Sequence, residues 1–579
     1  MNPITQRQAW NTLFADPELG AGNFLTKSVA AYGQSDADFL FLEKAFVGPS
    51  GESHQAFSLD SLYQQVKELA GWYLSQEGID AGGHVCLYLG DGVPSFLHFL
   101  ALGTLGCVPV LINGHLRADI ALLYARRNRF DTFVFDEETR SRWNLDAELE
   151  GLNVLDAHFQ EGSSVSFLPV PEQGWPVERQ AEDIIMVCHS SGTTGIPKAV
   201  LFGHEQFFNG KRERLRSYIE RPDDKLATAM PPTHAAGISY LMTAVMLQLP
   251  TLSLNTQTGP VLASLLASFQ PTIVTAFSQS YASLAELNLP DGYLNSIQRF
   301  YNTGDTAHEV HIRSLLRLAP EARFTDMFGA SELGMSQFFK VSREGSVASK
   351  RTVGHAASYA RCDILSPQGE PLPDGTAGYF GVRSPTVTPG YYGQPHLTAL
   401  TELNDYWLTG DVGLRMANGE FVHLDRIVDT VPSNLGVQAY TLLLEEHLLT
   451  LPGVFDVTVV GVSRGPTREE AVLILVRAQE AGVDAEDVLQ HAMSCYPFQG
   501  RGELPGYTVC AGVLADAYAL PAGSTGKILK RQIRENFWSW QRDFDEGDCS
   551  VLRELVWNHS LRDLPLATTP ISLLEYLQP

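Results

Sequence analysis

Basic charge is what this sequence has least of. Lys and Arg number 41 against 66 Asp and Glu, a formal charge of −25. Nucleic acid and anionic membrane surfaces both call for a basic field, so neither is an expected partner. The same imbalance constrains any phosphate-bearing ligand, which must be held by local donors, a Lys or Arg, or a metal ion. Cysteine is sparse: the seven are scattered and form no C-x-x-C pair. That excludes the familiar structural zinc patterns and matches a reducing compartment. No apolar run approaches the length of a membrane span. The stretch from Met1 to Glu18 lacks the basic and apolar blocks of a secretory signal, so a cytoplasmic location is expected. Internal repeats and low-complexity segments are missing too.

What is present is a folding composition. A 44% hydrophobic and 18% charged chain of 579 residues has enough apolar surface for more than one core, so at least two domains are expected. Short branched-apolar runs alternate with helical patterns, which reads as α/β. Candidate strands are His84 to Leu89, Thr132 to Phe135, Ile184 to Cys188, Thr272 to Ala276 and Phe324 to Phe328; a helix is expected from Ser95 to Leu105. From Arg351 to about Glu420 the pattern shifts to short strands and tight turns such as Pro373-Asp374-Gly375, a small β subdomain. After Arg426 the chain returns to α/β, with strands at Val457 to Val462 and Ala471 to Val476. Past Glu535 come Phe537, Trp538, Trp540, Phe544 and Trp557, read as a helical extension that is a domain of its own, docks a partner or seals a dimer.

The most informative stretch joins the apolar run Ile184 to Cys188 to Ser190-Ser191-Gly192-Thr193-Thr194-Gly195-Ile196-Pro197-Lys198. Glycines let backbone N–H groups approach an anion, Ser and Thr add donors, and Lys adds charge. A Walker A loop requires Gly where Pro197 stands, so that class is excluded. Composition alone leaves a flexible surface loop equally open.

The loop resembles the phosphate-binding signature of the adenylate-forming superfamily: acyl-CoA synthetases, nonribosomal-peptide adenylation domains and luciferases. Ala199 replaces the glycine usual after the lysine. Further segments follow in the family's order. Phe328-Gly329-Ala330-Ser331-Glu332 is similar to its aromatic-Gly-x-Thr-Glu motif, which implies Phe328 against adenine, Gly329 in the nucleotide site, Ser331 on phosphate and Glu332 on Mg²⁺. Thr409-Gly410-Asp411 implies a ribose-binding Asp411, and Asp425-Arg426-Ile427-Val428-Asp429 resembles the hinge, with Arg426 near the ribose. Here Asp425 stands for the usual glycine, and Val428 for the polar hinge residue. The Gly-rich stretch that helps relatives admit a thiol is replaced by Val431-Pro432-Ser433-Asn434-Leu435-Gly436. Lys527, in Pro521-x-x-x-x-Gly526-Lys527, matches the catalytic lysine.

The resemblance implies a large N-terminal domain, residues 1–425, with two doubly wound sheets plus the β subdomain, and a small mobile α+β domain, 426–534; residues 535–579 lie outside it. It implies attack of a carboxylate on the α-phosphate of ATP, with Mg²⁺, Lys527 and the loop donors stabilising the charge, then rotation of the C-terminal domain for acyl transfer. His234, in Pro231-Pro232-Thr233-His234-Ala235-Ala236-Gly237, resembles the acid-pocket histidine of acyl- and aryl-CoA ligases. Ala235 and Ala236 follow where amino-acid-activating relatives carry an aspartate, so the expected acid has no α-amine. Phe277, Thr303 and Gly304 are candidate pocket residues. CoA is the default acceptor; a carrier protein's phosphopantetheine or an amine are alternatives.

Three other readings compete with this one. Gly461-Val462-Ser463-Arg464-Gly465 spells a nucleophile elbow, but Pro466 and a strand follow where a helix is required. His308-Glu309-Val310-His311 lacks the H-E-x-x-H spacing of a zinc site. A silent nucleotide-binding regulator is the non-enzymatic reading.

Overall fold

The computed structural model describes residues 3–143, 149–190, 197–217, 221, 223–305, 307–346, 351–432, 438–464, 469–478, 482–498, 508–515, 520–523, 527–557 and 573–577. The α/β expectation holds. In a six-stranded sheet, Asn153–Asp156, Thr132–Phe135, His84–Leu89, Val108–Asn113 and Ile184–His189 run parallel, and Ala199–Gly203 returns antiparallel. Parallel strands are covered on both faces, which is why Val-Pro-Val-Leu-Ile-Asn at Val108–Asn113 is buried at every position. The helix expected at Ser95 runs Pro94–Thr104, its proline at the first turn where no N–H is needed.

The second sheet has 14 strands. Its middle, from Arg323–Phe328 through Arg299–Thr303, Ile273–Phe277, Leu226–Thr228 and Thr251–Ser253 to Leu40–Val47, is parallel. Beyond Arg323–Phe328 the ladder turns antiparallel through Phe338–Arg343 and Thr352–Ala356 into Phe421–Arg426 and Tyr406–Arg415. The β-rich part is therefore hydrogen-bonded into the larger sheet. Between the two sheets lies the helix Ala235–Leu247. It packs with Met186, Val200 and Phe202 on one side, and through Ala236 and Tyr240 with Leu226, Ile273 and Tyr301 on the other. A helix apolar all round needs cover all round, and this position supplies it.

The C-terminal lobe is a four-stranded sheet, Val454–Arg464, Glu469–Ala478, Thr508–Leu514 and Leu552–Trp557. That corrects the reading of the tail. The boundary expected at 535 falls inside the helix Lys530–Asp545, which buries Ile533, Phe537 and Trp540 along one stripe. Those side chains pack on Val460, Val462 and Leu473, each large one contributing about 2–3 kcal/mol of apolar burial. Leu552–Trp557 is a strand, paired antiparallel with Thr508–Leu514, so the segment is neither all helical nor separate. Its principal aromatic residues fill their own domain's core.

Ser463 sits within the strand Val454–Arg464, paired with Glu470. An elbow requires a sharp strand-to-helix turn, and that geometry is not here.

Candidate active site

The parallel strands deliver their side chains to one end. Ser190 follows Ile184–His189, while Phe277, Thr303 and Phe328 close three neighbouring strands of the second sheet. Phe277 and Thr303 are partners in register. All four line a cavity of about 1150 Å³, which continues past Glu332, Asp411 and Arg426 to Lys527. Ligand sites in open α/β sheets lie beyond the carboxyl ends of the strands, as here. Ser191, Gly192, Thr193, Thr194 and Gly195 fall outside the described residues.

The base of the phosphate-type loop is clipped at both ends. Ser190 N donates to Lys198 O at 2.9 Å, and Lys198 N donates to Ser190 Oγ at 3.0 Å. Lys198 Nζ reaches Tyr391 Oη at 3.3 Å, and Tyr391 donates to Glu332 Oε1 at 2.9 Å. Burial, with the Glu332 charge beside it, pushes the Tyr391 phenol far above its ordinary range, so it acts as a fixed donor. Nothing in the motif reading pointed to Tyr391. Glu332 itself belongs to the single turn Ser331–Leu333 and lines the cavity. An acceptor-only carboxylate with one oxygen already oriented is a hard-oxygen ligand of the kind Mg²⁺ takes when phosphates supply the rest of its shell. Among the described residues no group of three His, Cys, Asp or Glu could hold a metal alone.

Asp411 is buried and faces Arg426 across the ladder. Arg426 Nε and His423 Nε2 each lie 3.3 Å from its Oδ1. Burial works against the charge on Asp411, but Arg426 and His423 override it and hold the carboxyl down to about 2. Gly410 is required before it: φ is +81°, and a Cβ there would stand 3.3 Å from Arg426 Nη2. His423 also packs against Phe328, ring centroids 4.8 Å apart. Asp326 lies two residues before Phe328 on the same strand, therefore on the same face, and accepts from Asn302 Nδ2 at 2.7 Å. Burial raises its carboxyl. Tyr391, His423 and Asp326 are the residues that motif matching missed. An alternating strand face was the available signal for Asp326; the other two meet the site only through tertiary contacts.

His234 is the N-cap of Ala235–Leu247, its Nδ1 accepting from Ala236 N at 3.2 Å. Burial lowers the imidazole to about 4, so near neutrality the ring is uncharged and Nε2–H is its donor. Phe277 meets it edge-on at 5.3 Å. Gly304, at φ +90°, leaves that ring its space, since a Cβ would sit 2.8 Å from Phe277 Cδ1.

Lys527 comes from the other lobe. Its Nζ lies 3.3 Å from Asp305 Oδ1, one residue past Gly304. Two further ion pairs hold the lobes in this arrangement: His308 Nδ1 to Glu446 Oε2 at 2.8 Å and Arg477 to Glu286 at 3.8 Å. Burial opposes both charges of the first pair, yet each partner stabilises the other, raising His308 and holding Glu446 down to about 2. At the hinge, Asp425 accepts from Thr441 N and Oγ1, and Lys530 Nζ bridges Thr441 Oγ1 and Glu445 at 2.8 Å. These bonds make Asp425 a peg between the lobes.

The AMP-binding enzyme family model matches residues 31–392. The chain belongs to the AMP-binding enzyme family. Among members, it is 31% identical over 569 residues to a 3-aminoavenalumate diazotase from Streptomyces sp., covering 92% of this chain and 99% of that one. It is 23% identical to a 2-succinylbenzoate–CoA ligase of Bacillus cereus, over 85% and 97% of the two chains. In fold it resembles ATP-bound MatB from Rhodopseudomonas palustris, TM-score 0.74 at 20% identity, covering 89% and 99%. No helix among the described residues is long and apolar enough to cross a membrane.

Proposed function

We propose that the chain uses ATP and Mg²⁺ to turn an oxyacid anion into its adenylate and passes the activated group to an aromatic amine, with nitrite as the oxyacid and a diazonium ion as the product. The observation that carries this is the 31% likeness to a diazotase along 99% of that protein's length, against 23% to the CoA ligase.

The chemistry balances on this site. Diazotisation joins a second nitrogen in the +3 oxidation state to an amine with loss of water. Nitrite has that oxidation state but a poor leaving group. A nitrite oxygen attacks the α-phosphorus of ATP, pyrophosphate leaves, and the anhydride O=N–O–AMP forms. The amine attacks the anhydride's nitrogen, AMP departs with the bridging oxygen, and a proton is released. The resulting nitrosamine tautomerises, takes up a proton and loses water to give the diazonium ion.

This chain's residues act on those steps as donors and charges. Neutral His234 presents Nε2–H to the incoming oxyanion. Lys198, Lys527 and the donors of the 190–195 loop meet the charge that grows on the phosphate oxygens. Asp411 accepts from the ribose hydroxyls with Arg426 beside it, and Phe328 with Gly329 forms a wall for adenine, whose exocyclic N–H groups suit Asp326. Ser331 adds a phosphate donor. Mg²⁺, when bound at Glu332, would supply electrostatic neutralisation of the leaving diphosphate.

A second reading, activation of a carboxylic acid without an α-amine followed by transfer to CoA, is supported by the CoA-ligase relatives. Phe277, Thr303 and Gly304 then line the acyl pocket. The test is ATP–pyrophosphate exchange with nitrite and with a panel of aryl acids, followed by azo-dye trapping after an arylamine is added. Nitrite-dependent exchange and a trapped diazonium are expected. Exchange with aryl acids alone, followed by thioester formation with CoA, would establish the second reading instead.

A further inference from the structure

The strand Phe338–Arg343 breaks the rule that apolar side chains go inside. Its buried positions are Phe338, Lys340 and Ser342, while Val341 between them is 49% exposed. Alternation puts every second residue on one face, so the lysine stands where a core residue is expected and the valine where a lysine is. Lys340 is 9% exposed, and lysine is almost never so buried unless paired. Yet among the described residues its ammonium makes no hydrogen bond and no ion pair. It does line the cavity.

Strand register says what it stands beside. Lys340 faces Asp326 across the antiparallel ladder, and Asp326 faces Asn302 across the parallel one. Directly paired residues share a face of the sheet, which makes Asn302, Asp326 and Lys340 a polar row, with Phe328 two residues along from Asp326 on the same face. Asn302 Nδ2 takes one oxygen of Asp326, at 2.7 Å. The other oxygen has no hydrogen-bond partner among the described residues. The remaining charges around the row are already engaged: Arg351 with His423, Glu446 with His308, Asp305 with Lys527 and Glu309 with Arg313. One donor and one acceptor are left over, side by side on the cavity wall next to Phe328. Burial pulls the Lys340 ammonium down and the Asp326 charge opposes that. Charged or neutral, the group keeps an N–H to donate.

We propose that Lys340 reads the nucleobase: its amino group donates to a ring nitrogen on the edge of adenine that carries the 6-amino group, while the free oxygen of Asp326 accepts from that amino group. A donor beside an acceptor is what adenine calls for, whether at N7 or at N1. A 6-oxopurine presents an acceptor where adenine has its amino group, so its oxygen meets the Asp326 carboxylate and is rejected. The inference rests on the adenylation reading, in which adenine stands against Phe328, and adds the residue that joins Asp326 in choosing the base. No motif contains Lys340; the signal is a lysine at an inward strand position.

Calorimetric binding of AMP analogues to the full-length protein tests this without turnover. The wild type is expected to bind AMP ~10²-fold more tightly than IMP. Of 1-deaza-AMP and 7-deaza-AMP, each lacking one ring acceptor, one is expected to bind ~10-fold more weakly than AMP, and which one identifies the edge. Lys340→Met keeps the side chain's length without a donor. It should weaken AMP ~10-fold and erase the difference between AMP and that analogue, since the bond the analogue lacks is already gone. A loss of packing alone would weaken both and keep the difference. Wild-type binding of both deaza analogues as tight as that of AMP, which needs no variant, would overturn the role of Lys340. A deficit undiminished in folded Lys340→Met would overturn it too. Equal binding of AMP and IMP by the wild type would instead overturn the placement of adenine at Asp326, so the two failures are distinct.

Discussion

Replacing Lys527 with alanine is expected to cut adenylate formation ~10²–10³-fold while leaving the melting temperature within about 1 °C of wild type. The two halves of that expectation have separate causes. Among the described residues the lysine's one ion pair is with Asp305, at 3.3 Å, where the two side chains are 27% and 36% exposed. A pair so open to water contributes about 0–1 kcal/mol to the fold. During reaction the same ammonium is proposed to face charge that develops on phosphate oxygens inside the cavity, where a fixed cation between protein walls is worth more than in bulk solvent. Single-turnover release of AMP and pyrophosphate, with melting curves on the same samples, checks both halves. Retention of more than a tenth of the wild-type rate would remove the lysine from the assigned role. Lys527→Arg should recover part of the loss, since it restores charge but not the reach of a compact ammonium.

Glu332→Gln is expected to have an effect of the same order, ~10²–10³-fold in kcat/KM for ATP, by a different route. The amide keeps the shape and an acceptor oxygen for Tyr391 but removes the charge that would hold Mg²⁺. The defect should therefore shrink as Mg²⁺ is raised into the millimolar range and above, which a purely structural loss would not do. Tyr391→Phe, which frees the carboxylate from its 2.9 Å tether and removes the hydroxyl that Lys198 Nζ reaches at 3.3 Å, should cost ~10-fold and show part of the same dependence on the ion. A Glu332→Gln defect unchanged across Mg²⁺ concentrations would contradict the metal role.

Much of this site could be read from local sequence because its pieces are local. A phosphate-type loop follows a buried strand, and Ser190, Phe277, Thr303 and Phe328 all stand where apolar runs stop. The strand expected at Thr132 to Phe135 was found at those residues. What local pattern could not show is whatever depends on residues far apart. Tyr391 is 193 residues from Lys198 and 59 from Glu332; its importance exists only after the fold brings the three together. His423 and Asp411 likewise meet through strand pairing. The β-rich segment after Arg351 showed its turns, yet its union with the larger sheet depends on register between distant strands. The tail illustrates the limit most plainly. Phe537, Trp538, Trp540 and Phe544 read as helical, and they lie in the helix Lys530–Asp545. Leu552–Trp557, with Arg553 and Glu554 among apolar neighbours, shows no clean alternation and was not legible as a strand.

The departures at the hinge have a common physical sense. Asp425 is fully buried and bonded to Thr441 at the start of the other lobe, with Lys530 and Glu445 beside it. Burial raises the Asp425 carboxyl to about 7. A glycine would leave this point free to swivel; the bonded aspartate ties it. On the proposed diazotisation, in which an amine would be bound beside the adenylate, the second step would not require this point to turn.

In the proposed reaction a substrate oxyanion attacks the α-phosphorus of ATP in the cavity between Ser190, Glu332 and Lys527. Tracing a heavy oxygen isotope tests it most directly. With labelled nitrite, an arylamine and unlabelled ATP, one labelled oxygen is expected in the AMP released and none in pyrophosphate, because the bridging oxygen leaves with the nucleotide. Label absent from AMP, or release of ADP and phosphate in place of AMP and pyrophosphate, would contradict the account.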